Sequence, residues 1–474
     1  MSTESLDAGL PGQWRRGWAL LREAIAGNEH DYTTGSIGRA VFLLAIPMML
    51  EMAMESVFAV VDIYFVSGRG ADSVAVVGLT EAVLTLLYAV AIGLSMAVSA
   101  LVSRRIGEGN PDGAAKVAGQ TIWLAVAAWV VVAAIGIAFA PDILRLMGAD
   151  EGVVAVGGGY TTLMLGGSIS ILLLFLLNAV LRGAGNAALA MRVLWLANGI
   201  NIVLGPLLIY GPGPLPELGV TGAAVATNIG RGIGALFALY YLTNGRGRVV
   251  LRARHLHADS QVLSNLLRVS AGGVFQFIVA TSSYIVLMRV ISTYGSAAIA
   301  GYTIAIRIMM FTFLPAWGMS NAAATLVGQN LGAKQPERAE ASVWVATKYN
   351  VAFLVSVGIV GVVFAESLVG FFTTDAEVLR YGAAALRIVS YGYGFYAVGL
   401  IVTQAFNGAG DTSTPTWLNV LCFWVLQLPL AYVLAKWLAL GPHGVFWAQA
   451  ISESMLAVAG WFLFRRGTWK LKVV

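Results

Sequence analysis

Twelve long apolar segments, separated by short polar loops, restrict the fold of this chain more than any other feature. A helix needs about 20 mainly apolar residues to cross a hydrocarbon core roughly 30 Å thick, and every segment is long enough. The pattern therefore predicts twelve transmembrane helices. They comprise residues 40–66, 75–101, 117–140, 158–181, 188–210, 219–243, 264–291, 298–325, 342–364, 380–406, 414–437 and 442–464.

The composition lies far outside the soluble range. Hydrophobic residues make up 58% of the 474 positions and charged residues only 11%, whereas about a quarter of the residues in soluble domains are charged. The single cysteine, Cys422, excludes a disulfide within the chain. We expect an all-α integral membrane protein that is monomeric and has the lipid bilayer as its surroundings. The net charge of +5 does not indicate nucleic acid as a partner, because the basic residues lie in the loops.

An internal repeat divides the chain into two halves. Gly107 and Gly332, and the stretches RGAGN and NGAGD that begin at Arg182 and Asn407, match at a spacing of 225 residues. LGVTG and LGPHG match further on at a spacing of 222. Because each half has an even number of helices, both run in the same direction, which predicts two six-helix lobes related by a parallel pseudo-twofold repeat. The predicted parts are a tail (1–36), a first lobe (37–243), a basic linker (244–261), a second lobe (262–464) and a basic tail (465–474).

Basic residues concentrate in alternate loops, which are expected to face the cytoplasm. Four arginines fall in the linker between the lobes, and a cluster of basic residues follows the last apolar segment. Both termini are therefore predicted to be cytoplasmic. The segment from Trp14 to Gly27, with Trp14, Trp18 and Leu21 on one face, is compatible with an amphipathic helix on the membrane surface and equally with a disordered tail.

Three carboxylates interrupt the first apolar segment. An acidic residue inside hydrocarbon costs several kcal/mol unless it faces protein or water. Glu51, Glu55 and Asp62 fall within roughly 40° of one another on a helix, so they form one acidic stripe. Glu81 in the second segment is expected at a depth similar to that of Asp62. This stripe is the candidate cation-coupling site, and the alternative is a structural set of carboxylates held by arginines.

Polar residues on two later segments are candidate partners of these acids. Asn198 and Asn201 share a helix face and can serve the coupling site or join helices within the membrane. Thr227 and Asn228 have the same two interpretations, and with Arg231 they form the predicted supporting network. We expect Arg231 to neutralise Glu51 or Glu55. The repeat places Glu453 at the equivalent of Arg231, and a structural ion pair with one of the second lobe's basic residues is the expectation there.

Methionine and aromatic side chains supply candidates for a substrate cavity. Methionine gives soft, adaptable surfaces, and aromatic rings stack on organic cations. For each of these residues, ordinary packing is the alternative. The candidates that carry this hypothesis are Met52, Tyr284, Met310 and Tyr391, with Gln276 beside them.

A series of motifs in both halves resembles the multidrug and toxic compound extrusion (MATE) family. The likeness covers nearly the whole chain, and its specificity lies in the order of the motifs. They are IPMML with Pro47, VVDIYFVSGRGADSVAVVGLT with Asp62, ALVSRRIGEGNPDGAA, RGAGN, NIVLGPLLIYG, ELGVTGAAVAT, LVGQNLGAKQPERA and AFNGAGDTSTP. The resemblance implies a V-shaped pair of bundles in the bacterial inner membrane and cation-driven antiport of amphipathic small molecules. It also implies that Asp62 is the main coupling residue, with Asn201 as a polar partner.

The chain departs from the family at two positions. Gly205 stands where the proton-coupled archaeal and bacterial branch has a second aspartate, and Gln276 aligns where the sodium-coupled branch has a glutamate. Clustered carboxylates favour a proton, because burial and like charge keep at least one of them protonated. A sodium ion near Asp62 remains the alternative. Asp62 has no acidic counterpart in the second lobe, so the cation site is expected in the first lobe alone.

We therefore predict secondary active multidrug efflux without a cofactor or a resident metal. A lipid-linked sugar or lipid flippase of the same superfamily is the alternative, and its helices usually number fourteen. An intramembrane enzyme is the weakest interpretation. The chain has no HExxH, GxSxG or P-loop motif, and none of its four histidines is deep in an apolar segment.

Overall fold

The structure is a computed structural model that describes residues 12–27, 30–213 and 216–472. Six membrane helices form the first lobe. Apolar side chains dominate each of them, and the helical hydrogen bonds satisfy the backbone groups within the helix, as a membrane requires. The helices are α1 (Ile37–Ser67), α2 (Ala71–Gly107), α3 (Pro111–Leu146), α4 (Glu151–Gly166 and Ile169–Gly183), α5 (Ala187–Tyr210) and α6 (Val220–Thr243).

The second lobe repeats the same order of helices. These are α7 (Ser260–Ser292), α8 (Ser296–Gly332), α9 (Pro336–Val363), α10 (Ala376–Tyr391 and Tyr393–Gly408), α11 (Ser413–Trp437) and α12 (Pro442–Arg465). Within the described ranges, ten helices are individually long and apolar enough to cross a membrane, and α10, as a bent pair, is an eleventh. α12 has 24 residues and is less apolar, because it carries Gln449 and Glu453.

The parallel repeat is visible in matched helix bounds. α2 and α8 both have 37 residues and follow glycines, Gly70 and Gly295, with φ of 99° and 100°. α6 and α12 both have 24 residues and follow Gly219 and Gly441, with φ of 57° and 60°. A side chain beyond glycine is strained at such φ values, so the same turn is built in both lobes. The predicted two-lobe, twelve-helix fold is confirmed.

Two helices, α4 and α10, are interrupted although their hydropathy is continuous. α4 is interrupted between Gly166 and Ile169, and the two parts of α10 meet at Gly392 with a bend of 59°. Gly167 and Gly392 are 225 residues apart, so the break belongs to the repeat. Hydrophobicity continues across both breaks, and hydropathy alone therefore predicts one continuous segment.

The segment before α1 forms a helix, Gly12–Ala26, that packs on α1 and α5. Its Glu23 pairs with Arg39 at 2.5 Å, and Arg192 donates to the carbonyl oxygens of Ile25 and Ala26 at 2.7 Å. Trp18 is exposed, as an interfacial helix requires. The side chain of Trp14, which the sequence places on the same face, lies outside the described residues.

The linker between the lobes is docked on α3. Gln120 donates to the carbonyl oxygens of His255 and His257 at 3.1 and 2.8 Å, and Asp112 pairs with Arg254 and with His255. This linker, the N-terminal helix and residues 466–472 all lie at the same end of the molecule, which we call the terminal end.

The lobes are closed against each other at the terminal end. α1 and α2 of the first lobe pack on α8 and α7 of the second. A Cβ placed on Gly107 would lie 1.9 Å from the carbonyl oxygen of Gln329, and a Cβ on Gly332 would lie 2.2 Å from that of Arg104. These two glycines are equivalent in the repeat. Each therefore permits the close approach of α2 and α8 at the lobe interface.

Candidate functional site

Glu51 is buried in an ion pair. Its carboxylate accepts hydrogen bonds from Arg182 at 2.7 Å and from Asn178 at 3.1 Å, and its side chain is only 2% exposed. Both partners lie on α4, four residues apart and therefore on one helix face. Of the two carboxylates that Arg231 is expected to neutralise, Glu51 is therefore paired with Arg182 instead. Arg182 follows directly after the fourth predicted segment (158–181), so hydropathy does not indicate it as a partner within the membrane.

Glu55 lies one turn further along α1 and contacts a different arginine. It accepts from Asn198 at 2.9 Å, and Arg231 approaches it at 3.4 Å. Arg231 also donates to the hydroxyl of Tyr88 at 3.3 Å and lies over the rings of Tyr88 and Phe58. The predicted neutralisation by Arg231 therefore occurs at Glu55. Tyr88 was not predicted as part of this group, although it is seven residues from Glu81 and thus on the same side of α2.

Asp62 and Glu81 form a pair of carboxylates without a cation in direct contact. Neither makes a hydrogen bond or an ion pair within the described part of the chain. The charged groups that act on Asp62 through space are Glu81 and Arg231, and Arg307 of the second lobe acts on Glu81. Two of the four predicted acids, Glu51 and Glu55, thus carry ion pairs, and the other two remain available.

The remaining polar candidates divide into two groups. Asn201 donates to the hydroxyl of Thr227 at 2.8 Å, and this hydrogen bond joins α5 to α6. Asn228 instead donates to the carbonyl oxygen of Leu163 and accepts from Ser170, at the break in α4. Asn228 therefore joins α6 to the broken helix α4, which is the second of its two interpretations, and none of its hydrogen bonds within the described residues is to the acids. Adjacent residues on a helix point about 100° apart, which explains the separation of Thr227 from Asn228.

A cavity of about 210 Å³ lies between the lobes. Its first-lobe wall includes Glu51, Glu55 and Met52, and its second-lobe wall includes Trp317 and Asn407. Two of the stripe acids therefore face a space shared by both lobes. Asp62 is not among the residues that line it, and lies further along α1 toward the end opposite the termini.

A second cavity, of about 540 Å³, lies in the second lobe. Gln276, Tyr284 and Met310, three of the five residues predicted for a substrate cavity, line it. Tyr391 does not, because it stacks on Trp447 with ring centroids 6.2 Å apart and is 59% exposed on an outer groove. Glu453 also lines this cavity, and the structural ion pair expected for it is absent among the described residues.

Comparisons with known proteins place the chain in one family. The MatE family model matches twice, over residues 47–207 and 274–433, once in each lobe. This chain belongs to the MATE family of membrane transporters. The matches therefore confirm the multi-pass membrane class that the composition predicts and the resemblance that the motifs carry.

Curated relatives and solved structures of MATE proteins agree with this assignment. The chain is 27% identical over 440 residues to a probable multidrug resistance protein NorM of Thermotoga maritima, covering 92% of this chain and 94% of the relative. It is 26% identical to an FAD transporter of Shewanella oneidensis, covering 93% and 97%. The outward-facing conformation of a MATE transporter of the MOP superfamily superposes with a TM-score of 0.86 at 28% identity, covering 96% of this chain and 99% of that one.

Proposed function

We propose that this protein is a secondary active exporter that moves amphipathic, often cationic, small molecules out of the cell in exchange for a proton or a sodium ion. The observation that carries the proposal is the pair of carboxylates, Asp62 and Glu81, held in the first lobe of a MATE transporter with no counter-charge in direct contact. A coupling group must be able to exchange its counter-ion, and a carboxylate engaged by arginine cannot do so easily.

In this mechanism the two lobes close against each other alternately at the terminal end and at the opposite end of the molecule. The terminal end is cytoplasmic by the distribution of basic loops, so the closure of α2 on α8 through Gly107 and Gly332 seals the inner side. Drug bound between the lobes would then leave to the outside. A cation arriving at Asp62 would favour the return to the inward-facing state, because it removes the charge that a cationic drug needs.

Glu51 and Glu55 have a supporting role in this proposal. Their arginine and asparagine partners fix the wall of the central cavity and keep it near electrical neutrality. A neutral, largely apolar wall accommodates varied amphipathic molecules better than one with a net charge. The name of the Shewanella relative extends the substrates of the family to a dinucleotide, but the cavity here offers no unpaired basic group among its lining residues to bind phosphate.

The test is transport by purified protein in liposomes with imposed gradients. Ethidium movement is followed by fluorescence under a proton gradient without sodium, and separately under a sodium gradient at symmetric pH. The proposal predicts exchange driven by one of the two gradients. Ethidium movement that neither gradient accelerates above that of protein-free liposomes would overturn cation antiport and return the flippase alternative to first place.

A further inference from the structure

Glu453 occupies the place in the second lobe that Arg231 occupies in the first. The two residues are 222 positions apart, and the helices that carry them have equal length and the same glycine turn before them. In the first lobe Arg231 is paired with Glu55 of α1 at 3.4 Å. At the 225 spacing, which the glycines before α2 and α8 obey, the equivalent of Glu55 is Ala280 of α7. The repeat therefore reverses the sign of one charge and removes its partner.

No cation of the second lobe compensates Glu453. Within the described residues it makes neither a hydrogen bond nor an ion pair. Arg387 is engaged with Glu366 at 3.0 Å, and Arg307 and Lys348 are exposed. A carboxylate at mid-helix in a membrane protein is costly unless something neutralises it. The place opposite Glu453, beside Ala280, is open to a positive charge supplied from outside the chain.

The cavity around Glu453 has the size and walls of a ligand site. Its volume of about 540 Å³ lies within the range of small-molecule pockets, roughly 300–1,000 Å³. Tyr284 stacks on Tyr302 with ring centroids 6.2 Å apart, and the hydroxyl of Tyr302 donates to Gln449 at 2.7 Å. Tyr396 also lines the cavity, and its buried hydroxyl has no hydrogen-bond partner. The unsatisfied hydroxyl of Tyr396 and the uncompensated carboxylate of Glu453 line the same cavity, and both are groups that a ligand can satisfy.

We propose that this cavity binds an amphipathic organic cation, with Glu453 as the counter-charge and Tyr284, Tyr302 and Tyr396 as its aromatic wall. The inference rests on the proposed export function for its substrate class and adds a site in the second lobe. An inorganic cation such as sodium, which needs several oxygen ligands at close range, is the competing occupant, and the test below distinguishes it from an organic cation. Aromatic faces and a single carboxylate are the groups that recognise a large organic cation.

This second-lobe site lies next to the central cavity. Both cavities are lined by a common set of side chains, so the second-lobe cavity adjoins the central cavity at the lobe interface. These shared residues are Met96, Leu314, Trp317, Gln404 and Asn407.

The test is binding of tetraphenylphosphonium to the purified full-length protein, measured by equilibrium dialysis. Glu453→Gln should weaken binding at least about tenfold, since a desolvated charge pair is worth more than 1.4 kcal/mol. Glu377→Gln is the matched control, because it removes the same charge from an exposed position of the same lobe. Binding of the neutral triphenylphosphine oxide should be equal in wild type and Glu453→Gln. Equal affinity of wild type and Glu453→Gln for the phosphonium ion would overturn the proposal.

A second variant tests the site independently, in case Glu453→Gln does not fold. Ala280→Lys places an ammonium group opposite Glu453, as Glu55 stands opposite Arg231, and should abolish phosphonium binding while leaving the melting temperature at or above that of wild type. Unchanged phosphonium binding by Ala280→Lys would contradict the site. Sodium binding that protects wild type against heating, and is lost in Glu453→Gln, would also overturn it in favour of an ion site.

The outcomes separate this inference from the export function. If gradients drive ethidium transport equally well in wild type and in Glu453→Gln, and phosphonium binding is also equal, the export function stands and the second-lobe site is wrong. If no gradient drives transport, but phosphonium binding depends on Glu453, the site stands and the proposed antiport is wrong.

Discussion

Arg182 and Glu51 carry opposite charges in a place with almost no access to solvent. Their side chains are 11% and 2% exposed, and the second carboxylate oxygen of Glu51 has no hydrogen-bond partner. Breaking a buried pair costs more than forming it contributes, because one charge is left without compensation. The pair is therefore expected to stabilise the first lobe and to have no part in exchanging ions.

Removing one partner should reveal this structural role. Glu51→Gln leaves the guanidinium of Arg182 without a counter-charge and should reduce the free energy of unfolding by about 3 kcal/mol. Thermal unfolding of the purified protein measures the change. The double variant with Glu51→Leu and Arg182→Met should recover part of the loss. A double variant no more stable than Glu51→Gln would contradict the assignment of the pair as structural.

Sequence reasoning predicts which residues are unusual better than it predicts their partners. The acidic stripe follows from helical periodicity alone, and Glu51, Glu55 and Asp62 do all face the interior of the first lobe or the lobe interface. Which arginine meets which acid depends on how α4 and α6 pack on α1, and a single sequence carries no distance between helices. The sequence therefore does not indicate Arg182 as the partner of Glu51, and it leaves open whether Asn228 serves the acids or joins helices.

At the scale of elements, the C-terminal tail joins the two lobes at the terminal end. Lys472 pairs with Asp411 at 3.2 Å, and its carbonyl oxygen accepts from Arg104 of α2 at 3.0 Å. Burial alone would raise the pKa of Asp411, but hydrogen bonds from Thr414, Ser413 and Lys472 outweigh it and hold the pKa below the ordinary value. The ionised form of Asp411 is thus favoured where the tail docks.

The tail should detach in acid. Because the folded pKa of Asp411 is depressed, its contribution is fully present above the unfolded value, about pH 4, and is lost as the pH falls through the lower folded value. Protease cleavage after Lys470 or Lys472 should therefore become faster below about pH 4 when measured with an acid-stable protease. Asp411→Asn should give fast cleavage even at pH 7. If this variant is cleaved at the wild-type rate at pH 7, Asp411 does not hold the tail in place.

The contact of α2 with α8 should respond to a single methyl group. Gly107→Ala cannot place its Cβ 1.9 Å from a carbonyl oxygen, so the closed terminal end must separate. Spin labels at Glu108 and Glu337, in a background without Cys422, should report a longer mean distance in this variant. Gly199→Ala is the control, because no atom lies within 4 Å of its added Cβ. An unchanged distance distribution in Gly107→Ala would rule out this contact as the inner seal.

The elements themselves could be predicted well and their interruptions could not. Every apolar segment became a helix, and several extend further than the apolar stretch, as α2 does by continuing through Arg104 and Arg105 to Gly107. Hydropathy does not register backbone geometry. The breaks of α4 and α10 were therefore invisible, although glycines at equivalent positions of the repeat mark both.

At the scale of the whole molecule, the internal repeat gives two lobes with the same order of helices but with different charged residues inside them. The first lobe holds the acid stripe with its arginines, and the second holds a lone Glu453 in a larger cavity. The repeat, and hence the two-lobe architecture, follows from the sequence because matched motifs keep a constant spacing. The different charges of the two lobes can also be predicted from the sequence. The cavities that these charged residues line cannot, because they depend on how the helices pack.

Coupling should fail when Asp62 loses its charge. Asp62→Asn keeps the shape of the side chain, and no hydrogen bond or ion pair at this position is lost in the described part of the chain. Folding should therefore remain, while exchange against a cation is abolished. Asp72→Asn is the matched control, since Asp72 is exposed at the start of α2.

The most direct measurement is gradient-driven ethidium transport by Asp62→Asn and Asp72→Asn in one set of liposomes, with protein amounts matched. We expect Asp72→Asn to transport at the wild-type rate and Asp62→Asn to fall to the rate of protein-free liposomes under either gradient. Transport by Asp62→Asn at the wild-type rate, accelerated by the same gradient, would contradict the assignment of Asp62 as the coupling residue of this transporter.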